Sequence, residues 1–563
     1  MPGLPRGWRI ALLLLLTVGY SWLFNWSEPT NNPNENVRVY MARAMAEQGS
    51  YAIAERSCTS RGVCGDRGPI YDQWGYVNDK ALFCTDGRKA PNCTGKLYAA
   101  KAPGLAFVAV LPLTLQRGWY RTWHWGTPSK AAVIWWLRLT CAILPSILGF
   151  FWLAVHLSQR LQRPQLAIAV VLAAGLGSLS LTYGQMFAGH QPAAMALLLA
   201  YGAIHHAGPL GRRPSVALAG FGVALAACIE FPAAPAGVIL VLWLLLRRRQ
   251  FHDLPWLILG ALLPTLWLLH FNWRAFGAPW HLPYAYMENP GFVRDIGPGI
   301  FGIALPNLEK TWGSLLSPFT GLYFWAPWVA LAWLGFVGLR RPPVPSHWAL
   351  DRRGDALVAS LICLYFLFFQ CSHALWRGGW VIGPRYITAI VPFAAIAVAH
   401  GLDALPERGN RVAMTVLAVL APVAIVVTGL GSAVSQGFPF ELYNPLPEAV
   451  GPLLQAGFVA QNPLMKLGIA GPWSALPYWL ALTAACIWLV WLLQPSGLHL
   501  KPLPIRIVAT VAMLSIAAIG VIGLWSVGPG RTAVTDKTLH FLMTVWTPKA
   551  PPGATIPSDL PPL

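Results

Sequence analysis

Apolar residues gather into runs long enough to cross a bilayer, near 8–24, 131–157, 165–187, 191–207, 215–231, 233–246, 254–272, 320–339, 355–376, 386–403, 412–434, 473–493 and 506–527. Each run predicts a helix, because a spanning segment must close its own backbone hydrogen bonds. The run 102–114 is shorter and rich in Pro and Gly. It predicts a segment lying along the interface, or one that dips in and returns. Between the first two runs, "NENVRVYMARAMAEQGSYAI" repeats Val37, Met41, Ala44 and Met45 at helical spacing. That pattern predicts an amphipathic helix on the membrane surface.

The gaps between runs set the topology. If 102–114 does not cross, Arg6 and Arg9, Arg160 and Arg163, Arg212 and Arg213, Arg247 to Arg249, Arg340 and Arg341, Arg408 and Arg411, and Lys501 share one side. That arrangement obeys the positive-inside rule throughout, whereas a crossing breaks it. The N-terminus reads as an uncleaved first span, because no small-residue cleavage site follows its apolar stretch. The expected order is a first span (1–24), an external loop (25–130), six spans (131–272), a loop (273–319), four spans (320–434), a loop (435–472), two spans (473–527) and an external, irregular tail (528–563). No internal repeat is evident, and the long outer loops contrast with short inner ones.

Composition agrees with that picture. The 563 residues are 56% hydrophobic and 11% charged, against about 25% charged in soluble domains. Mean hydropathy is +0.52. The net charge of +19 lies mostly in short loops, so it reads as membrane topology and not as a nucleic-acid surface.

The first external loop holds Cys58, Cys64, Cys84 and Cys93. Such a cluster predicts two disulfides in an oxidising compartment, with local pairing 58–64 and 84–93 expected. A zinc site is the rival, with spacings unlike those of zinc ligands. Asn92, in "NCT", is a formal glycosylation acceptor. Lys101, in "KLYAAKAPG", sits at the outer interface, where a lipid phosphate suits its compact charge and a snorkelling anchor is the plainer reading. Pro103 and Gly104 predict a turn that presents it. Glu35 and Asp79 are the outstanding carboxylates of the loop, each a candidate general base or a solvated surface acid.

Polar residues also interrupt the runs. His190, Glu230, His373, Arg377 and Arg385 lie in or beside them, where ionisable groups face a cavity or a partner. Glu230 has two readings, a cavity carboxylate or half of a structural ion pair. Arg377 and Arg385 flank an external turn and suit a phosphate or pyrophosphate, or anchor helices. The aromatic stretch "SLLSPFTGLYFWAPW" suits sugar or isoprenoid contacts, or simply an interfacial belt.

Five stretches, "NENVRVYMARAMAEQGSYAI", "NDKALF…GKLYAAKAPG", "FAGHQPAA", "LLSPFTGLYFWAP" and "GGWVIGPRYITAIVPF", together resemble the bacterial GT-C superfamily of polyprenyl-phosphate-sugar-dependent glycosyltransferases, of the protein O-mannosyltransferase-like and aminoarabinose-transferase-like kind. The resemblance runs over about the first 400 residues. It implies an all-α polytopic bundle of about 13 transmembrane helices, with juxtamembrane helices in a large first periplasmic loop. It implies inverting transfer of a sugar from a polyprenyl phosphate to a lipid, glycan or protein acceptor on the periplasmic face of the bacterial inner membrane. Glu35 matches the second acid of the family's acidic pair, and Asn34 stands where the first acid is usual. Asp79 matches a downstream acid, so the base is divided between Glu35 and Asp79. Lys101 matches the donor-phosphate lysine, Arg385 a recurrent arginine, and Arg38, loosely, the arginine after the acidic pair. The resemblance leaves a divalent cation (Mg or Mn) possible, since many members use one and others do not; with Asn34 in place of the acid, none is asserted. A transporter or flippase of lipid-linked sugars is the alternative, and a scaffold without catalysis the third reading.

Overall fold

The computed structural model describes residues 4–24, 32–87, 93–205, 211–247, 251–289, 291, 294, 302–340, 352–494, 501–546, 551 and 553–561. Asn92, Arg248, Arg249 and Arg341 lie outside the described residues. The chain forms two compact units: Met1–Trp26, Ser146–Gln185 and Leu305–Leu563 make one, and Ser27–Pro145 and Met186–Ala304 the other.

The chain is a polytopic helical membrane protein. Among the described residues, seven helices are long and apolar enough to cross a bilayer: Lys130–Ser158, Arg212–Ile229, Phe251–Phe276, Arg352–Ser372, Glu407–Val434, Gly471–Leu493 and Leu503–Trp525. Four shorter apolar helices, Pro164–Leu176, Phe231–Leu246, Pro327–Arg340 and Ile390–Ala404, fall on further predicted runs. Leu503–Trp525 leaves Ile505, Val508, Val511, Ile516, Ile519 and Ile522 exposed. Lipid makes such a face inexpensive. Ile390–Ala404, by contrast, is buried from Ile390 to Asp403.

Two predicted segments differ. The run 165–187 is not one helix: Pro164–Leu176 stops at Gly177, and Leu179–Gly184 restarts with Ser178 capping the Ser180 N–H. The tail is not irregular throughout. Its helix Ala533–Phe541 brings Leu539, with Leu542 and Met543 beyond it, into a core shared with Phe438, Leu446 and Phe458.

The second unit carries the long segment that follows the first apolar run. Here α2 (Pro33–Gln48) is followed by β1 (Ala54–Cys58), β2 (Cys64–Arg67), α3 (Pro69–Trp74), β3 (Lys80–Cys84), β4 (Gly95–Ala99) and α4 (Gly104–Thr122); α1 (Arg6–Ser21) precedes them in the other unit. The all-α expectation missed the antiparallel sheet β2-β1-β4-β3. Its strands are only four or five residues long: β1 (AERSC) and β2 (CGDR) are mostly polar, and the apolar stretches of β3 (KALFC) and β4 (GKLYA) are too short to announce a strand. The disulfides Cys58–Cys64 and Cys84–Cys93 take the expected local pairing and hold the ends of two strand pairs.

Helix α2 begins as predicted but does not lie on a surface, since every residue from Asn34 to Ala44 is buried. The stretch 102–114 belongs to α4, one continuous helix through Pro112, so the dip-and-return form is overturned. Pro103 and Gly104 start that helix instead of making a free turn. At Gly104 the helix meets the backbone of Cys228, where a Cβ would lie 2.4 Å from the carbonyl carbon.

Candidate functional site

Two strand ends create the corner that holds Lys101. Lys80 pairs with Ala99 across β3 and β4, so the residues before β3 and after β4 emerge together. The Asp79 carbonyl accepts the Ala100 N–H at 2.8 Å. The Lys101 Nζ then lies 3.2 Å from Asp79 Oδ2, with side chains 15% and 11% exposed. Asp79 has a φ of +57°, one of two positive values at non-glycine positions among the described residues. Asp tolerates that region better than most residues, yet the conformation still costs about 1 kcal/mol or more and persists only where neighbours impose it.

Those neighbours form a four-member ring of charges. Lys80 Nζ lies 2.6 Å from Asp66 Oδ2 and 3.2 Å from Glu288 Oε2. Arg56 reaches Asp66 Oδ1 at 2.7 Å and also pairs with Glu288. The Glu288 N–H donates to the Lys80 carbonyl at 3.1 Å. Burial works to raise the Asp66 carboxyl, but hydrogen bonds and charge from Arg56 and Lys80 outweigh it and hold the group below its usual range. The residue that follows Asp79 is thereby fixed at both backbone and side chain.

A second cluster adjoins the corner. Arg38, 1% exposed, donates from Nε to Asn34 Oδ1 at 3.1 Å, from Nη1 to the Ala102 carbonyl at 3.1 Å, and from Nη2 to Glu230 Oε1 at 2.6 Å. It therefore ties α2 to the residue after Lys101 and to the end of Arg212–Ile229. His190 Nδ1 lies 3.6 Å from Glu230 Oε1. Gly189 makes room, since a Cβ there would come within 2.2 Å of the same oxygen. The structure thus brings Asp79, Lys101, Arg38, Glu230 and His190 into one region of one unit. Glu230 has an arginine partner, the structural-pair reading of the sequence.

Glu35 occupies a different setting. It is fully buried, and its oxygens accept from Arg138 Nε at 2.6 Å, Arg138 Nη2 at 2.6 Å and the Phe187 N–H at 2.8 Å. Sequence reasoning missed Arg138. The available signal was an arginine inside the apolar run 131–157, which demands a buried partner.

Arg377 and Arg385 belong to the other unit. Arg377 is half exposed, 3.5 Å from Glu309 Oε1, and Arg385 lies over the Tyr386 ring at 5.1 Å. Trp325 and Trp328 of the aromatic stretch are fully buried, their indoles donating to the Phe319 and Gly177 carbonyls at 3.0 and 2.7 Å. These two belong to packing, not to an open sugar platform.

Among the described residues, no group of three or more His, Cys, Asp and Glu side chains is placed to hold a metal ion. Asn34 is engaged by Arg38, Glu35 by Arg138, and Asp79 by Lys101. These donors, as they stand, do not fit a divalent cation.

No family model matches the chain, and no curated protein does. Solved structures similar to it include ArnT from Cupriavidus metallidurans bound to undecaprenyl phosphate, at 15% identity over 92% of this chain and 76% of that one, with TM-score 0.39. The apo form of the same protein gives 16% identity, 91% and 76% coverage, and TM-score 0.43. The arabinosyltransferase EmbB from Mycobacterium smegmatis gives 14% identity, with TM-score 0.39, and covers 93% of this chain and 40% of its own. Likeness at this level carries nothing further, and the functional reading rests on the residues.

Proposed function

We propose that the protein is an integral-membrane glycosyltransferase of the bacterial inner membrane. It moves a sugar from a polyprenyl-phosphate donor to a lipid, glycan or protein acceptor on the periplasmic face, with inversion. The observation that carries this reading is the Asp79–Lys101 pair, a carboxylate and a cation held together at a partly open, backbone-strained corner.

The chemistry needs these two groups. When an acceptor hydroxyl oxygen bonds to the anomeric carbon, the bond from that carbon to the phosphate oxygen breaks. The electron pair leaves with polyprenyl phosphate, and the hydroxyl proton goes to a base. A phosphate leaving group needs a cation more than an acid, which is the role of Lys101. Asp79 takes the proton. Because Lys101 is already bound to Asp79, an arriving phosphate competes for the ammonium and releases the carboxylate beside the acceptor. Arg38, Glu230 and His190 position the segment, with Arg38 fixing the carbonyl next to Lys101. Glu35, closed in by Arg138, serves as an anchor. Arg385 and Arg377 stay as candidates for donor contacts. No step is routed through Mg or Mn.

Labelled polyprenyl-phosphate sugar and purified protein in sealed vesicles test the reading. A transferase yields a glycoconjugate and free polyprenyl phosphate. Label that only crosses the bilayer, without product, makes the protein a flippase and removes the proposal.

A further inference from the structure

A group of basic side chains stands apart from the Lys101 corner. Arg43 on α2 pairs with Glu47 through Nε at 2.7 Å and Nη2 at 2.8 Å, and Nη2 also reaches Gln73 Oε1 at 2.8 Å. Its guanidinium carbon lies 3.8 Å above the Trp74 ring. Arg43 is 8% exposed, and its Nη1 is enclosed without a hydrogen-bond partner. Arg117 on α4 calls on the same carboxylate, at 2.8 Å from Glu47 Oε1. Lys130 Nζ lies 5.9 Å from both the Tyr40 and the Trp74 ring centres. Arg121 is exposed one turn beyond Arg117. Glu35, whose charge Lys130 feels, is committed to Arg138. Cations therefore outnumber the carboxylate that serves them. The crowding acts on both arginines: burial pushes Arg43 down to about 10, and burial with the charges of Arg121 and Arg43 lowers Arg117.

The same helix says where the missing anion lies. Leu111, Leu115, Trp119 and Trp123 recur every fourth residue and are 67%, 61%, 58% and 58% exposed. Arg117 and Arg121 fall on the opposite flank. Apolar and aromatic residues on one side with arginines on the other is the pattern of a helix seated in the membrane interface, its cations at phosphate level.

We infer that Arg43, Arg117, Arg121 and Lys130 bind the phosphate of an anionic phospholipid while the Leu111–Trp123 stripe enters the acyl region. The site is independent of glycosyl transfer and stands or falls separately from it. One unpartnered guanidinium nitrogen, Arg43 Nη1, and a carboxylate shared by two arginines are relieved by an added anionic phosphate, and a zwitterionic headgroup supplies no net charge to do so.

The test uses the full-length protein in mixed micelles, with phosphatidylglycerol and phosphatidylcholine of identical chains, read by native mass spectrometry. The wild type should retain phosphatidylglycerol preferentially. Arg117→Ala with Arg121→Ala should weaken that retention by roughly fivefold per arginine. Trp119→Ala with Trp123→Ala should weaken both lipids alike. Arg61→Ala, on an exposed turn, should change nothing. Equal retention of the two lipids by the wild type overturns the inference, as does an unchanged preference in the arginine variant. Should that variant fail to fold, the wild-type preference must still shrink from low to high salt; a salt-independent preference also overturns it.

Discussion

Two carboxylates of the segment between the first two apolar runs, alike to the sequence reader, have opposite fates. Glu35 is sealed, with three hydrogen bonds, two of them from the bidentate Arg138. Asp79 keeps a little exposure, 11% of its side chain, and is held by one lysine and by a left-handed backbone. A carboxylate with filled lone pairs and no solvent contact stabilises its surroundings, and only one that can exchange partners takes up a proton from an incoming hydroxyl. In the proposed reading, surface access, more than charge, separates the anchor Glu35 from the base Asp79.

The sharpest way to break this contrast is at the Asp79–Lys101 pair. Asp79→Asn should lower turnover by about 10²–10⁴-fold, and Lys101→Ala by about 10²–10³-fold, with melting temperatures near wild type. Activity close to wild type in Asp79→Asn, beside a folded but inactive Glu35→Gln, would reverse the assignment.

At the anchor the expected loss is in stability. Glu35→Gln leaves Arg138 buried without its counter-charge, a cost of about 3–5 kcal/mol. Yield and melting temperature should fall, while the folded fraction keeps its specific activity. Adding Arg138→Met should recover much of the loss, because removing both charges relieves the desolvation. A smaller effect is expected from Cys84→Ser with Cys93→Ser, about 2–3 kcal/mol by loop entropy, read as a lower melting temperature.

The smallest effect concerns acid. Asp66 titrates below its ordinary value in the folded protein, so its stabilisation is whole above a pH of about 4. It fades as pH falls through the lower folded value. Proteolysis of the first loop should therefore accelerate in acid, and Asp66→Asn should flatten that dependence. An identical pH profile in the variant would detach the charge ring from the corner.

The membrane-spanning helices were legible because lipid imposes one rule on long apolar runs. The cysteine pairing was legible because the partners are close in sequence. The sheet was not: Ala54–Cys58 and Cys64–Arg67 hold together through a disulfide and the Arg56–Asp66 bridge, with no hydrophobic rhythm to announce them. Lys101, Asp79, Arg38, Glu230 and His190 were each visible as polar residues in awkward places. Their convergence was not, because it depends on strand register and on one helix end. Arg138 went unread as the partner of Glu35 because 103 residues separate the two.

The contact at Gly104 sets a limit on drift. Cys228 leaves no volume for even a methyl group there, and Lys101 stands three positions upstream. In a saturation library that position should return glycine alone, since any heavier atom lifts the helix and carries the ammonium out of register with its aspartate. One missing carbon thus acts as a ruler for the charge pair.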